Sequence, residues 1–487
     1  MLVVLSDLHL SDSASSSALA SGAMELLVDR MCDLAYRASW RASGIYMPIE
    51  RIDLLLLGDT LDITGSRKWL ASKTRPWSDV NSPAFVETAT AITDDILRHN
   101  VDAIRHLRSL ATEGLVSVPY VGQNGQPLLH EEELPVAVRT HYMVGNRDWP
   151  LHLAGSQFDL LRHKVAHHLG LANQHNKPFP HEAMESEELA DSLRRHRVLA
   201  RHGDIFDPLS FSDDRDTASL SDAIAIELVG KFLVRCESEL AAELSPVALA
   251  TIGEIEQIRP QLLIAAWLES QLERLVPALV TRKAIKRLWD NTVEDFLELE
   301  IVRHGSRWSA VDLVDGLASA LKFSRRDSHD WTGKTLAWLA DLRGAHTSSY
   351  AMHALAESDF RNRRARSIVY GHTHTAEQIP LDASHADGFV LSQTYFNAGT
   401  WRRTYQPTQA FSGQHEFISS DSFHLLAFYQ QDERSGRAHE TLSGSLAPSI
   451  IEAGIAPAAP VASAAVHPIR APHFAQVGSG RPSMRRS

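Results

Sequence analysis

Cysteine is almost absent from this sequence: Cys32 and Cys236 are the only two in 487 residues. That scarcity excludes a disulfide framework and a cysteine-built zinc site, and both side chains are expected as small buried apolar groups. Long apolar runs are also missing, none approaching the ~18–20 residues a membrane-spanning helix needs. The nearest, residues 455–466, holds Pro457 and Pro460. The short apolar start, Met1-Leu2-Val3-Val4-Leu5, has no basic segment before it, so no secretory signal is expected and a reducing, cytoplasmic setting is the default. Positive charge is in deficit, with 48 Lys+Arg against 60 Asp+Glu and a net charge of −12. A chain this acidic is not a general binder of nucleic acid or anionic membrane, local basic patches apart. The Gly-x-x-x-x-Gly-Lys-Ser/Thr phosphate loop is absent, which argues against that NTPase class. There is no internal repeat.

What is present is ample core material, 44% hydrophobic residues. Short apolar runs at residues 2–5, 52–57, 140–144, 197–200, 367–370 and 395–396 each end abruptly in polar residues and read as buried strands. Helical patterns lie between them, at 25–38 and 85–110, and Asn124-Gly125 suggests a hairpin within 117–129. Strands alternating with helices indicate an α/β fold with its site beyond the carboxyl ends of the strands. From 208 to 365 the character changes. Ile264, Leu268, Leu272, Leu275 and Leu279 recur at helical spacing, and similar stripes fill 219–240, 284–299 and 335–342. The organisation expected is a core in two parts, 1–207 and 366–445, interrupted by a helical insertion, 208–365, that acts as a lid. Residues 446–487, Ala/Pro/Ser-rich and carrying Arg470, Arg481, Arg485 and Arg486, read as a disordered basic tail.

Five segments place metal-capable side chains just where a strand ends. They are Asp7-Leu8-His9, Gly58-Asp59-Thr60-Leu61-Asp62, Gly145-Asn146-Arg147-Asp148, His202-Gly203-Asp204 and Gly371-His372-Thr373-His374. Alternation along a strand would put Asp7 and His9 on one face, able to reach a common point. Singly, the Asp7 and Asp59 segments read more readily as turns or caps and His202 as a packed or solvated histidine; the Asn146 segment reads as another turn, and the His372 pair equally well as a surface loop. Five coincidences of one format, apolar run then ligand, are hard to assign to turns alone. Carboxylate, amide and imidazole together suit Mn²⁺, Fe, Zn²⁺ or Co²⁺ better than Mg²⁺ or Ca²⁺.

In this order the segments resemble the calcineurin-like metallophosphoesterase superfamily, over roughly residues 1–207 and 366–401. The resemblance implies a four-layer αββα sandwich carrying two divalent metals, Mn²⁺ first among the candidates. It implies that Asp7, His9, Asp59 and His374 hold one ion. Asp59 would bridge to a second, completed by Asn146, His202 and His372. Many relatives place His where Arg147 stands, as a proton donor to the leaving oxygen. Arginine keeps its proton but can neutralise a phosphate. In this detail the chain is similar to the bacterial UDP-2,3-diacylglucosamine pyrophosphohydrolases, although its insertion is far larger. By that resemblance Arg147 and Asn146 are catalytic and Asp148 orients Arg147. The pattern departs from Ser/Thr protein phosphatases, in which Gly-Asn-His-Glu is expected.

The expected activity is dinuclear hydrolysis of a phosphoanhydride or phosphodiester by a metal-bridging hydroxide, on a nucleotide-linked or other small phosphorylated substrate. A nuclease or nucleotide phosphodiesterase is the alternative, with the arginines at 361, 363, 364, 366, 402 and 403 tracking a backbone. Solvated surface is the plainer reading of those arginines, and nucleic acid is not the favoured partner. A non-catalytic interaction module would show lost ligand positions, and all seven are in place. Oligomeric state has no signal in the sequence.

Overall fold

A computed structural model describes residues 1–14, 19–20, 22–129, 133–211, 213–304, 310–325, 331–342, 349–386, 389–408 and 416–446. The expected tail lies outside the described residues from 447 onward. In chain order the strands are β1 (Leu2–Leu5), β2 (Arg51–Leu57), β3 (Ser117–Pro119), β4 (Glu133–Pro135), β5 (Ala137–Met143), β6 (Val198–Ala200), β7 (Ser367–Tyr370), β8 (Glu377–Ala386), β9 (Phe389–Asn397), β10 (Arg403–Pro407), β11 (Phe417–Phe428) and β12 (His439–Ser445). The molecule is a mixed α/β protein. One sheet runs β10-β11-β1-β2-β5, with β12 also pairing β11; a second runs β6-β7-β9-β8. β1, β2 and β5 are mutually parallel, as are β6, β7 and β9, while β11 enters antiparallel to β1.

Strand alternation decides what each face buries. Val3, Leu5, Ile52, Leu54 and Leu56 pack with residues of the helices Ala23–Ala38, Pro83–His99, Val101–Thr112 and Asp159–Leu169. Their neighbours Leu2, Val4, Leu55 and Leu57 turn the other way and share a cluster with Val198, Ala200, Val369 and Phe396 of the second sheet. Ile368, Tyr370 and Tyr395 point away from that cluster, against Tyr350, Ala354 and Phe360. The 85–110 helix expected from sequence is two helices, because Asn100 stops the first. Its Nδ2 donates to the carbonyls of Ile96 and Ser11, both at 2.8 Å. Cys236 is buried as expected, but Cys32 is only partly buried, its thiol 3.5 Å from the Leu115 carbonyl.

The insertion is helical and has its own apolar cluster, built on Phe232, Trp267, Trp289, Leu268 and Leu317. Leu220–Ala223 runs through a π-helical stretch, Ile224–Gly230, into Lys231–Glu239. Ser245 caps the next helix, accepting from Ala248 N at 3.1 Å, with Pro246 in its first turn. Ile264–Leu275, Leu279–Leu297 and Trp331–Leu342 follow. The insertion is tied to the sheet edge where Arg259 N donates to Tyr405 O at 2.9 Å. Among the described residues no helix is long and apolar enough to cross a membrane.

Candidate metal centre

Each of the five segments leaves the carboxyl end of a parallel strand: β1, β2, β5, β6 and β7 in turn. The backbone there is unusual. Asp7 (φ 54), His9 (φ 45), Asp59 (φ 49), His372 (φ 67) and His374 (φ 60) all occupy the left-handed region. Such residues cost about 1–3 kcal/mol each and persist where surrounding structure holds them. Asp7 and His9 therefore do not converge by strand alternation, as the sequence suggests. The chain coils past β1, with Asp7 N bonded to Gly58 O (3.2 Å) and His9 N to Asp59 O (2.8 Å). The glycines are there because backbone lies against ligand. A Cβ on Gly145 would collide with Asp59 Oδ1 and the His202 ring, and one on Gly371 with Ser6 and Asp7.

Six of the seven expected ligands fall into two groups, Asp7–His9–His374 and Asp59–His202–His372, each with ligand atoms within 4.8 Å of one another. In the first, Asp7 Oδ1 lies 3.2 Å from His374 Nε2 and 3.6 Å from His9 Nε2. Asp59 Oδ2 stands between the groups, 3.7 Å from His9 Nε2 and 3.5 Å from His202 Nε2. Asn146, the seventh, places Oδ1 3.3 Å from His202 Nε2. Outer contacts fix these groups. Asp7 Oδ2 accepts from Ser6 Oγ (2.5 Å) and His372 N (3.0 Å), Asp59 Oδ1 accepts from Arg147 N (2.7 Å), and His202 Nδ1 meets Leu57 O at 3.0 Å.

The donor set fits divalent metals. Asp7 Oδ1 and His9 Nδ1 are buried without a hydrogen-bond partner, and most of the ligand-to-ligand distances exceed those of good hydrogen bonds. Carboxylates and imidazoles so arranged are what a borderline transition metal takes. Burial works to raise the Asp7 carboxyl, yet His374 and His202 hold it well below the usual range.

Arg147 and Asp148 part company. Arg147 is largely buried, its Nη1 3.3 Å from Ser221 O and 3.6 Å from Asp222 Oδ1 at the start of the insertion. Asp148 does not orient it. Asp148 Oδ2 accepts from Tyr142 OH (2.5 Å) and Thr60 N (2.9 Å), and Oδ1 from Gly145 N (2.6 Å). It is a buried fastener between the second and third segments. Burial, with Asp59 beside it, pushes its carboxyl up to about 7.

Several residues at the site were given no role in the metal centre from sequence. Arg259 of the insertion lies with Nε 3.1 Å from His374 Nδ1, and burial next to Arg402 and Arg147 pushes its guanidinium down to about 10. Asp62 lies 3.6 Å from His9 Nδ1 and 3.7 Å from Arg402 Nη1; burial opposes its charge, but His9, Arg147 and Arg402 keep it well below the usual carboxylate range. Asp207 reaches His372 at 3.3 Å. Asp62 stands within the second segment, where it was named without a role, and Asp207 was findable three residues beyond Asp204. Arg259 carried no signal, since nothing near it in sequence is a motif.

The two arginine clusters also separate. Arg402 is buried beside Asp62, and Arg403 is bound by Asp421 and Glu254. Arg361, Arg363 and Arg364 are exposed just before β7 begins, whereas the ligands follow its other end.

A cavity of about 370 Å³ opens on His9, Asp59, Asn146, Arg147, His372 and His374. The insertion closes part of it with Leu209, Arg259, Pro260, Leu262, Leu336 and Leu339. Compared with protein-family models and with curated proteins, the chain matches none.

Proposed function

We propose that the chain is a dinuclear metal-dependent phosphohydrolase of the calcineurin-like kind, acting on a small substrate that contains a phosphoanhydride. The observation that carries this reading is Asp59 Oδ2, within 3.7 Å of an imidazole from each of two ligand groups. On this reading Asp7, His9, Asp59 and His374 hold one ion, and Asp59, Asn146, His202 and His372 the other. Bound ions would supply a lowered-pKa water and neutralise phosphoryl charge. The four-layer αββα arrangement belongs to the same proposal. It is supported by the cluster between the two sheets and by the helical residues packed on each outer face.

The protein's own groups favour an anhydride over an alkyl ester. Arg147 and Arg259 both line the cavity, and neither guanidinium can serve as a proton donor at neutral pH. They can hold a second phosphate and stabilise the charge that develops on it as it leaves. An alkyl alkoxide would need a proton, and His152, the nearest histidine in sequence to Arg147, is not among the residues lining the cavity. The exposed arginines at 361, 363 and 364 lie away from the ligands, so they lend no support to a nucleic-acid track.

The test is a panel of Mn²⁺, Zn²⁺, Co²⁺ and Fe²⁺ crossed with pyrophosphate-linked nucleotides, alkyl diesters and oligonucleotides. Pyrophosphate substrates should be preferred, and Arg147→Ala should lower their turnover by about 10²–10³, the usual size of one lost electrostatic donor. Asp59→Ala should abolish turnover and reduce bound metal in a folded protein. Normal activity in Asp59→Ala would overturn the metal assignment; best activity on alkyl diesters, unaffected by Arg147→Ala, would overturn the anhydride.

A further inference from the structure

A third group of metal-capable side chains shares no residue with the two above. His152, His181 and Asp216 bring ring nitrogens and a carboxylate oxygen within 4.8 Å of one another. They come from three separate places: the turn after the third segment, the loop before the helix Glu187–His196, and the acidic loop that opens the insertion. We propose that they form a separate site for a single divalent transition-metal ion of the Zn²⁺ type, joining the insertion to the core.

The geometry supports an ion over a hydrogen-bonded triad. His152 Nε2 lies 3.7 Å and His181 Nε2 3.9 Å from the same atom, Asp216 Oδ1. Both are too long for hydrogen bonds. Tetrahedral zinc with bonds of ~2.0–2.1 Å sets its ligand atoms about 3.3–3.4 Å apart, a contraction of a few tenths of an ångström. The two imidazoles are adjacent, with ring centres 4.3 Å apart and planes tilted by 46°. Both ring nitrogens of His181, 3% exposed, and Asp216 Oδ1 are buried with no hydrogen-bond partner. Leaving three such atoms unpaired is expensive unless something binds them.

The surroundings prepare the ligands. His152 Nδ1 is 2.7 Å from Phe179 O and donates to it, which leaves the Nε2 lone pair directed at Asp216. The His181 backbone N–H donates to Glu185 Oε2 at 2.9 Å, fixing the loop. Burial keeps the His181 imidazole well below the usual histidine range, hence neutral and able to coordinate. The neighbouring Arg215 directs its η nitrogens to Asp204 (2.8 Å) and Glu182 (3.3 Å), and acts on Asp216 through its charge alone. His152 and Asp216 keep side-chain exposures of 20% and 44%, a path for the ion and room for a water as fourth ligand. Two imidazoles and one carboxylate select zinc-like metals over Mg²⁺ or Ca²⁺.

The experiment is zinc titration and elemental analysis of the full chain after chelation and dialysis. In an Asp59→Asn, His374→Ala background one Zn²⁺ should still bind, and adding Asp216→Asn should weaken it by more than about a hundredfold, beyond what loss of a supporting group costs. In otherwise wild-type protein, His152→Gln and Asp216→Asn should each bind one zinc fewer than the parent, whatever the parent's total. Co²⁺ in its place should lose its tetrahedral absorption in the same variants, with circular dichroism unchanged. Equal zinc content and affinity in parent and both variants would overturn the proposal, and would leave the reading of the dinuclear centre intact.

Discussion

At the scale of single residues, the site depends on side chains that are missing as much as on those present. Gly145→Ala would drive a methyl group into Asp59 and His202, so turnover and metal content should fall together. The expected loss is at least about a hundredfold in kcat, because an ångström of misplacement costs that much. A change in KM with kcat preserved would show that the glycine serves binding alone. Asp148 is expected to act on stability first. Asp148→Ala strips partners from Thr60 N, Gly145 N and Tyr142 OH, and unsatisfied buried donors cost about 1–3 kcal/mol each. Denaturant melts should show a loss of more than about 3 kcal/mol, with the remaining folded protein still binding Arg147-dependent substrates. A melt unchanged within 1 kcal/mol would remove its role as fastener.

At the scale of elements, the insertion contributes an apolar wall as well as Arg259. Leu336 and Leu339 lie on the helix Trp331–Leu342 and face the cavity with Leu262. Leu336→Asp should therefore raise KM about tenfold for substrates with an apolar portion, the worth of one partly buried leucine contact. A small aryl phosphate should be unaffected; equal loss on both would mean the helix props the metal centre and does not select substrate. The strands that carry the five segments were readable where a short run is buried on both faces: Leu2–Leu5 and Ser367–Tyr370 carry the bounds their sequence suggests. β8, β10, β11 and β12 were not read. Ser419, Ser420, Asp421 and Ser422 of β11 are polar and exposed or half-buried, so no apolar alternation marks them as strand. The five segments were legible for the same reason as the strands, since each follows an apolar run, and the resemblance picked the seven proposed ligands out of them. Asp148 misled because adjacency in sequence to Arg147 says nothing of direction: its carboxylate turns to Tyr142, Thr60 and Gly145, and the guanidinium to Ser221 and Asp222. The third histidine group escaped because its members are 29 and 35 residues apart with no strand end to announce them.

At the scale of the whole molecule, buried histidines make stability sensitive to acid. Burial, with the N-terminal ammonium nearby, pushes His196 down to about 4, while its Nδ1 bonds Ser192 O at 2.8 Å. A histidine whose folded pKa lies below the ordinary ~6.5 stays neutral in the fold while the unfolded chain takes up its proton. Its contribution is fully present above pH ~6.5 and is lost as pH falls toward 4, at about 1.4 kcal/mol per unit. Between pH 7 and pH 4.5 wild type should lose roughly 2–3 kcal/mol more than His196→Gln. Parallel pH profiles for the two proteins would assign the acid sensitivity elsewhere.

β1 lies between β2, which follows it closely in sequence, and β11, whose Phe428 pairs with Leu2. Asp7 likewise waits for His374. A ribosome adds about 5–20 residues per second, so roughly 20–85 s separate the birth of the central strand from that of its second neighbour. Until β7 emerges the nascent chain carries an open, wholly apolar strand edge and only five of the seven proposed ligands. No N-terminal fragment ending before β7 can assemble the proposed dinuclear centre. Premature termination anywhere in the insertion should yield an aggregating product that needs chaperone capture, never a weakened enzyme.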